Sequence, residues 1–391
     1  MIFSCSEANA SSSAEAGFGV DTDARGKGMD AVNVVILSMT RLATYILMAQ
    51  HTTTVLAVVS MLFCFSLMWK GIKLTKEGQK QTALSAARQR LMEVERINSL
   101  ITERFEQEDI PEEPLLRARH YINVPPRSFC DDRDFVVVVH SRLNDLETRS
   151  NWRRTYGSFQ AMYRFALVFV VGRASTIEEK ASLGSEVNIH EDILEVDFND
   201  TYRNLTLKNI AALRYVLVAC PEVPTVLKMD DDVAWNMEKA AKLANFTAAT
   251  NKIHCSLHTN IPASRDTKQK WHVTYEEWSE NVFPPYCYGL AYTIPRQGII
   301  RVLQALQTQK FLWIDDIFVT GVLARHSAVS HVNVDEQYDY YPMQSVPIWK
   351  NSYTFALIQK CNIEYFFLIA NSHLFIHKMT AAEDTLKSER I

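Results

Sequence analysis

The chain has 391 residues, room for one large domain or two ordinary ones around a sizeable core. Its hydrophobic content of 47% and charged content of 22% are those of a globular protein. The net charge of −4 gives no global electrostatic case for nucleic acid, so an anionic ligand must be met by local cations.

Residues 1–30 are rich in Ser, Ala, Gly and Asp, a composition that predicts disorder. Two apolar runs follow. Residues 31–50 are interrupted by Arg41, whereas residues 55–69 are clean and reach about 17 residues with Thr53 and Thr54. The second run predicts a transmembrane signal anchor over 53–69, leaving 1–52 as a tail on the other side. It lies too far from the N-terminus, and lacks the small-residue cleavage site, for an ordinary signal peptide. Lys70, Lys73, Lys76 and Lys80 follow the run, against Arg41 before it, so the positive-inside rule points the C-terminal part to the cytosol. The cysteines and glycosylation triplets point the other way, and a start at Met48 would reconcile them by shortening the cytosolic tail.

Seven cysteines occur, at positions 5, 64, 130, 220, 255, 287 and 361. None forms a CxxC pair, which removes the case for a zinc ribbon. Five of them follow the apolar run, which suits an oxidising lumen with one or two disulfides and a thiol left over. Buried free thiols in a cytosolic enzyme fit the count nearly as well. Acceptor triplets begin at Asn199, Asn204 and Asn245; they permit a secretory location without requiring it.

Residues 70–128 read as a stem. Within it, over 84–105, Leu84, Ala87, Leu91, Val94, Asn98, Ile101 and Phe105 alternate steps of three and four. That is a heptad seam with one polar position, either a dimerising coil that makes a homodimer or a single amphipathic helix. Pro111, Pro114, Pro125 and Pro126 end it and mark a linker. The globular part is expected over 129–391. Phe135-Val-Val-Val-Val139 and Ala166-Leu-Val-Phe-Val-Val171 read as buried strands and Ile193-Leu-Glu-Val-Asp197 as a third. Ile210, Leu213 and Leu217 are spaced for a helix over 205–219, and another is expected over 297–307 with Ile300, Leu303 and Gln307 on one face. Strands alternating with helices imply an α/β fold, a mostly parallel sheet covered by helices.

The chemistry centres on Thr225-Val-Leu-Lys-Met-Asp-Asp-Asp-Val-Ala-Trp235, a short apolar strand that ends in Asp230, Asp231 and Asp232. Three adjacent carboxylates repel one another unless a cation neutralises them, and hard oxygen donors suit Mg²⁺, Mn²⁺ or Ca²⁺. The bland alternative is a solvated acidic turn. A second acidic pair, Asp315 and Asp316, sits between apolar residues at the start of an expected helix. There a carboxylate with a raised pKa can serve as a general base, or it can simply cap the helix. Arg149-Ser-Asn-Trp-Arg-Arg154 follows the first strand; its arginines can grip a diphosphate or face solvent.

Five segments resemble one family. Arg149-Ser-Asn-Trp-Arg-Arg-Thr-Tyr156 is similar to R-x-x-[IW]-R-x-T-W, with Tyr for the final Trp. Residues 197–208, DFNDTYRNLTLK, resemble D-F-x-D-[ST]-Y-x-N-L-T-x-K, and Lys228-Met-Asp-Asp-Asp-Val233 resembles K-x-D-D-D-[VI]. Residues 283–292, FPPYCYGLAY, resemble Y-P-x-Y-x-x-G-x-G-Y with Ala291 for a glycine, and Asp315-Asp-Ile-Phe resembles [ED]-D-V-[YF]. Together, in this order, they resemble the β1,3-galactosyltransferases and β1,3-N-acetylglucosaminyltransferases, glycosyltransferase family 31.

The resemblance implies a single-pass type II Golgi membrane protein whose lumenal domain has the GT-A fold. It implies an inverting hexosyltransferase that uses Mn²⁺ (or Mg²⁺) and a UDP-sugar donor. The sugar moved would be galactose or N-acetylglucosamine, passed in β1,3 linkage to a glycan acceptor on protein or lipid. By the same resemblance Asp232 binds the metal, supported by Asp230 and Asp231, and Asp316 is the base for the acceptor hydroxyl. Lys228, Arg149 and Arg153 would border the nucleotide. A late histidine completes the metal sphere; His377 fits that segment, with His373 as second choice. Ala291 puts a methyl where backbone is expected to approach the donor sugar, which bears on donor preference. Two rivals are a catalytically silent lumenal glycan-binding protein and a Mg²⁺-dependent phosphohydrolase built on the acid cluster.

Overall fold

The computed structural model describes residues 29–106, 111–340 and 354–357. The chain divides into two units, residues 1–82 and 83–391. Helix α1 (Met29–Phe105) contributes to each. In the first unit the side chains from Leu56 to Trp69 are exposed around the helix. Among the described residues no helix is long and apolar enough to cross a membrane, and Thr53 and Val55 of the expected anchor lie outside the described side chains.

The second unit begins within the expected stem. Val94, Ile97, Ile101 and Phe105 of the heptad seam are buried in its own core, not held out for a second copy. Asn98, the polar position, exchanges two hydrogen bonds with the Tyr121 backbone at 2.8 and 2.9 Å. Only Leu84 and Leu91 of the large apolar residues in the seam stay exposed, which is a correction to the dimerising-stem reading.

The chain then runs through β1 (Tyr121–Asn123), β2 (Phe135–His140), α2 (Leu146–Thr155), β3 (Phe165–Gly172), α3 (Ile177–His190), β4 (Ile193–Val196) and α4 (Leu205–Ala219). After these come β5 (Thr225–Asp230), β6 (Val233–Trp235), α5 (Met237–Thr250), β7 (Ile253–His258), β8 (Tyr286–Pro295), α6 (Arg296–Gln304) and β9 (His331–Asn333). An eight-stranded sheet has the order β1-β4-β3-β2-β5-β8-β7-β9. Its centre, β4-β3-β2-β5, is parallel as expected, while β8 runs antiparallel to both of its neighbours. A small sheet joins β6 to β11 (Phe355–Leu357) and β11 to β10 (Tyr338–Asp339).

Alternation along β2 decides the layers. Val136 and Val138 enter the core built with α4, and Phe135, Val137 and Val139 enter the core that holds Trp152 and Trp235. Both faces are covered, so the strand is a continuous apolar run. Helix α6 buries Ile299, Val302 and Leu303; of the face read in sequence, Leu303 is buried, Ile300 is half-buried and Gln307 lies beyond the helix end. Two disulfides, Cys130–Cys220 and Cys255–Cys287, join segments 90 and 32 residues apart. Among the described residues Cys64 is the free thiol.

Candidate active site

The three acids stand where β5 ends and turns into β6, at the carboxyl end of the central parallel strands. Ligands bind there in open α/β sheets, at the point where the strand order reverses. The turn rests on aromatic rings. Trp152 Nε1 donates to the Asp231 carbonyl at 2.9 Å, and the Tyr156 ring packs 5.0 Å from Trp152 and 5.2 Å from Trp235. Tyr156 is fully buried and its hydroxyl accepts the Trp235 backbone N–H at 3.4 Å, so the tyrosine that stands in place of Trp both packs and bonds there.

Lys228 joins the two acidic sites. Its Nζ donates to Asp230 Oδ1 at 2.7 Å and to the Gly289 carbonyl at 2.8 Å, and lies 3.6 Å from Asp315 Oδ2. Burial opposes the charge on this lysine, but Asp230 and Asp315 outweigh it and hold its pKa well above the ordinary value. Asp315 also accepts from Asn209 Nδ2 at 3.1 Å, so it belongs to the buried framework. Asp316 is half-buried and lines the cleft. Its Oδ1 accepts the Ile317 N–H at 2.8 Å, a local cap, while Oδ2 approaches Gly289. Burial, then the neighbouring Asp315, pushes the Asp316 carboxyl up to about 7. The following residues, Ile317–Leu323, form a π-helix, a geometry frequent at functional sites.

A bulge in β8 brings Gly289 to this acid. Cys255 pairs with Tyr292 but Leu257 with Cys287, so residues 288–291 stand opposite Ser256 alone. A Cβ on Gly289 would lie 2.9 Å from Asp316 Oδ2. Ala291 faces elsewhere: its methyl is in the core and its carbonyl accepts from Tyr338 Oη at 2.8 Å. The expected effect of Ala291 on donor contact is therefore corrected, and Gly289 holds the close approach.

One cleft of about 1320 Å³ contains both acidic sites, with Asp230, Asp231, Asp232 and Asp316 in its lining. The strand ends of β2 and β3 form one side, including Ser141 and Arg142, and the β7–β8 connection forms the other. A single small ligand fills about 300–1,000 Å³, so this space suits two.

Residues 147–335 match the protein-family model described as Galactosyltransferase. This stretch is a galactosyltransferase-family domain. The match with the human UDP-GalNAc:beta-1,3-N-acetylgalactosaminyltransferase 1 has 31% identity over 220 residues, 53% of this chain and 65% of that one. Mouse beta-1,3-galactosyltransferase 4 is 28% identical over 226 residues, 50% of this chain and 60% of its own. The chain thus spans less than two thirds of either relative. Among solved structures, the galactosyltransferase LgtC in complex with donor and acceptor sugar analogues aligns at 13% identity and a TM-score of 0.34, covering 61% of this chain and 95% of that one. The family resemblance read from the five motifs holds.

Within the galactosyltransferase-family domain, Arg149 and Arg153 do not line the cleft. Arg149 is fully buried, pairs with both Glu186 carboxylate oxygens at 2.7 and 2.8 Å, and donates to the Arg142 and Leu143 carbonyls. Arg153 pairs with Glu186 and Asp192, each at 2.7 Å. They shape the loop after β2, and that loop presents the exposed Arg142 to the cleft instead. The partners that capture them lie some forty residues on, beyond reach of a local motif.

Sequence reasoning missed a second clamp, although its members lie in the 197–208 motif. Lys208 Nζ donates to Asp200 Oδ1 and to the Ser141 carbonyl, both at 2.7 Å. Asp200 Oδ2 accepts the N–H groups of Leu143 and Gly172 at 3.0 and 3.2 Å, tying the ends of β2 and β3 together. It also missed His140, buried at the end of β2, 3.8 Å from Asp315. Neither His140 nitrogen has a hydrogen-bond partner among the described residues. Burial and the nearby Lys228 and Lys208 push this imidazole well below its ordinary value, so it is neutral.

The donor set at the turn is hard oxygen. Burial and Asp232 push Asp231 up to about 6, burial and Asp315 do the same for Asp230, and among the described residues buried Asp231 Oδ2 has no hydrogen-bond partner. These observations fit a divalent cation. Among the described residues no three His, Cys, Asp or Glu side chains are gathered as a metal group. His377 and His373 lie outside the described residues.

Proposed function

We propose that the domain is an inverting, UDP-sugar-dependent β1,3-hexosyltransferase of GT-A type, anchored over 53–69 in the Golgi membrane with its catalytic unit in the lumen. The observation that carries this reading is the single lysine between the two acidic centres. It bonds Asp230 of the acid turn and lies 3.6 Å from Asp315, the neighbour of Asp316, on one cleft with room for two ligands. The disulfides and the exposed apolar side chains from Leu56 to Trp69 support the lumenal placement and the anchor.

Asp232 and Asp230 would hold Mn²⁺ or Mg²⁺, with the orphaned Asp231 oxygen beside them and His377 as the outlying ligand. Such an ion, when bound, offsets the charge on the departing diphosphate. Arg142, on the β2 side, meets the diphosphate directly. Asp316 accepts the proton of the acceptor hydroxyl as that oxygen bonds to the anomeric carbon. The bond from that carbon to the diphosphate breaks, and UDP leaves with the electron pair. One in-line displacement inverts the configuration. The sugar is galactose or an N-acetylhexosamine; N-acetylgalactosamine joins the two expected because the first relative is named for it.

The test is a transfer screen with UDP-galactose, UDP-N-acetylglucosamine and UDP-N-acetylgalactosamine, with and without Mn²⁺. Metal-dependent transfer from one of them is expected, lost in Asp232→Ala. UDP-sugar binding without transfer by the intact protein would favour the silent glycan-binding rival. Hydrolysis of simple phosphate esters would favour the phosphohydrolase.

A further inference from the structure

The connection between β7 and β8, residues 259–285, is far longer than the usual loop and has no strand of its own beyond one bridge between Pro262 and Val282. It is nevertheless tightly built. Arg265 donates to four backbone carbonyls, those of Val273, Thr274, Trp278 and Glu280, at 2.7 to 2.9 Å. Its base is laced by Ala263 N–H to the Asn281 carbonyl and Phe283 N–H to the Ile261 carbonyl. Ion pairs Arg203–Glu277 and Arg325–Glu280 pin it to the body of the domain.

An ordered loop of this length costs conformational entropy, yet this one exposes large aromatic surface where it could have buried it. Trp271 lines the cleft and is 50% exposed; Tyr202, from the 197–208 motif, lines it too at 46%. Between them Lys270 Nζ lies 4.7 Å from the Tyr202 ring and 5.3 Å from the Trp271 ring. This is a cationic donor bracketed by two open aromatic faces. A sugar ring offers the matching chemistry, an apolar C–H face for a ring system and hydroxyl oxygens for an ammonium group.

Sheet order says which sugar. The acids sit on β5, the arginine side of the cleft is made by β2 and β3, and the arm joins β7 and β8 on the other side of β5. With the nucleotide on the β2 side, the arm borders the half left for the acceptor. We infer that residues 259–285 are an acceptor-binding arm. Trp271 stacks on a sugar ring of an oligosaccharide acceptor one unit in from the reacting end, and Lys270 donates to that ring's hydroxyls. This rests on the transferase reading above, and the test separates the two.

The experiment uses the full chain, the preferred UDP-sugar, and two acceptor probes, methyl β-galactoside and N-acetyllactosamine. In Trp271→Ala the KM for the disaccharide rises about tenfold, while the KM for the donor and the acceptor-free release of UDP stay within about twofold. Trp271→Phe restores most of the affinity because a flat ring remains. The monosaccharide, too short to reach the arm, is insensitive to the change. Trp271→Ala melts close to the parent temperature, since a half-exposed ring contributes little to the core. An unchanged disaccharide KM in Trp271→Ala overturns the arm and leaves the transferase reading standing. So does intact UDP-sugar binding with no response of tryptophan emission to the disaccharide. Failure of the parent protein to bind any UDP-sugar overturns the transferase reading and the arm with it.

Discussion

The two sides of the cleft hold their shape by different means. The β2–β5 side is a framework of buried charge, in which Lys228, Lys208 and Arg149 each satisfy carboxylates and carbonyls across several elements. The β7–β8 arm buries only a few apolar side chains, Val273 and Phe283 among them, and is held by Arg265 bonded to four backbone carbonyls and by two ion pairs to the body of the domain. Rigid charge suits a chemical step whose transition state is the same for every acceptor. A loop tied by its backbone can vary its exposed side chains freely, which suits recognition.

The largest expected effect falls on the framework side at the reacting centre. Asp316→Asn removes the proposed proton acceptor while preserving size and the Ile317 contact, so transfer is expected to fall about 10³-fold with UDP binding retained. Normal transfer by that variant, measured in the donor screen, would remove the base assignment. Next comes Lys208→Met. It leaves Asp200 buried without its cation beneath the ends of β2 and β3, and denaturant unfolding should show a loss of about 3–5 kcal/mol. Arg265→Met, the matching cut in the arm, should cost the core far less and act on the acceptor. If both variants unfold alike, the contrast between the two sides is false.

How much of this was legible in the chain follows the same division. The valine runs of β2 and β3 and the acids at 230–232 and 316 are local patterns, and each lies where periodicity and strand-end logic place it. What failed was long-range. Arg149 and Arg153 carry a charge that sequence advertises, but Glu186 and Asp192 absorb it. The heptad seam is a real apolar stripe, yet nothing in it says that the covering surface is this chain's own core. His140 is a lone histidine after four valines, without a pattern to mark it. The arm's order rests on Arg265 reaching carbonyls up to fifteen residues away, which no composition reveals.

Gly289 against Ala291 is a finer case. Two residues apart, they should share a strand face, and the sequence departure falls on Ala291. The bulge breaks that alternation and hands the close approach to Gly289. Gly289→Ala should therefore lower kcat about tenfold by displacing the Asp316 carboxylate, with donor binding unchanged. Ala291→Gly should leave donor choice as it is and soften only the core. A donor switch in Ala291→Gly would return the specificity role to that position.

The smallest effect is the most diagnostic, because it joins activity to stability. Burial and the neighbouring Asp315 push the Asp316 carboxyl up to about 7, against an ordinary value of 3.8. A base must be ionised to accept a proton, so transfer rises with pH through 7, and a drop from pH 8 to pH 6.5 should cost about fourfold. Stability runs the other way. Between the two values the folded state binds more protons than the unfolded chain, so the contribution of this carboxyl is fully present below about pH 4 and is lost as pH rises through 7. Activity and thermal stability should then move in opposite directions from pH 6 to 8, and Asp316→Asn should flatten both. A profile in which the two rise together would place the titrating group elsewhere in the cleft.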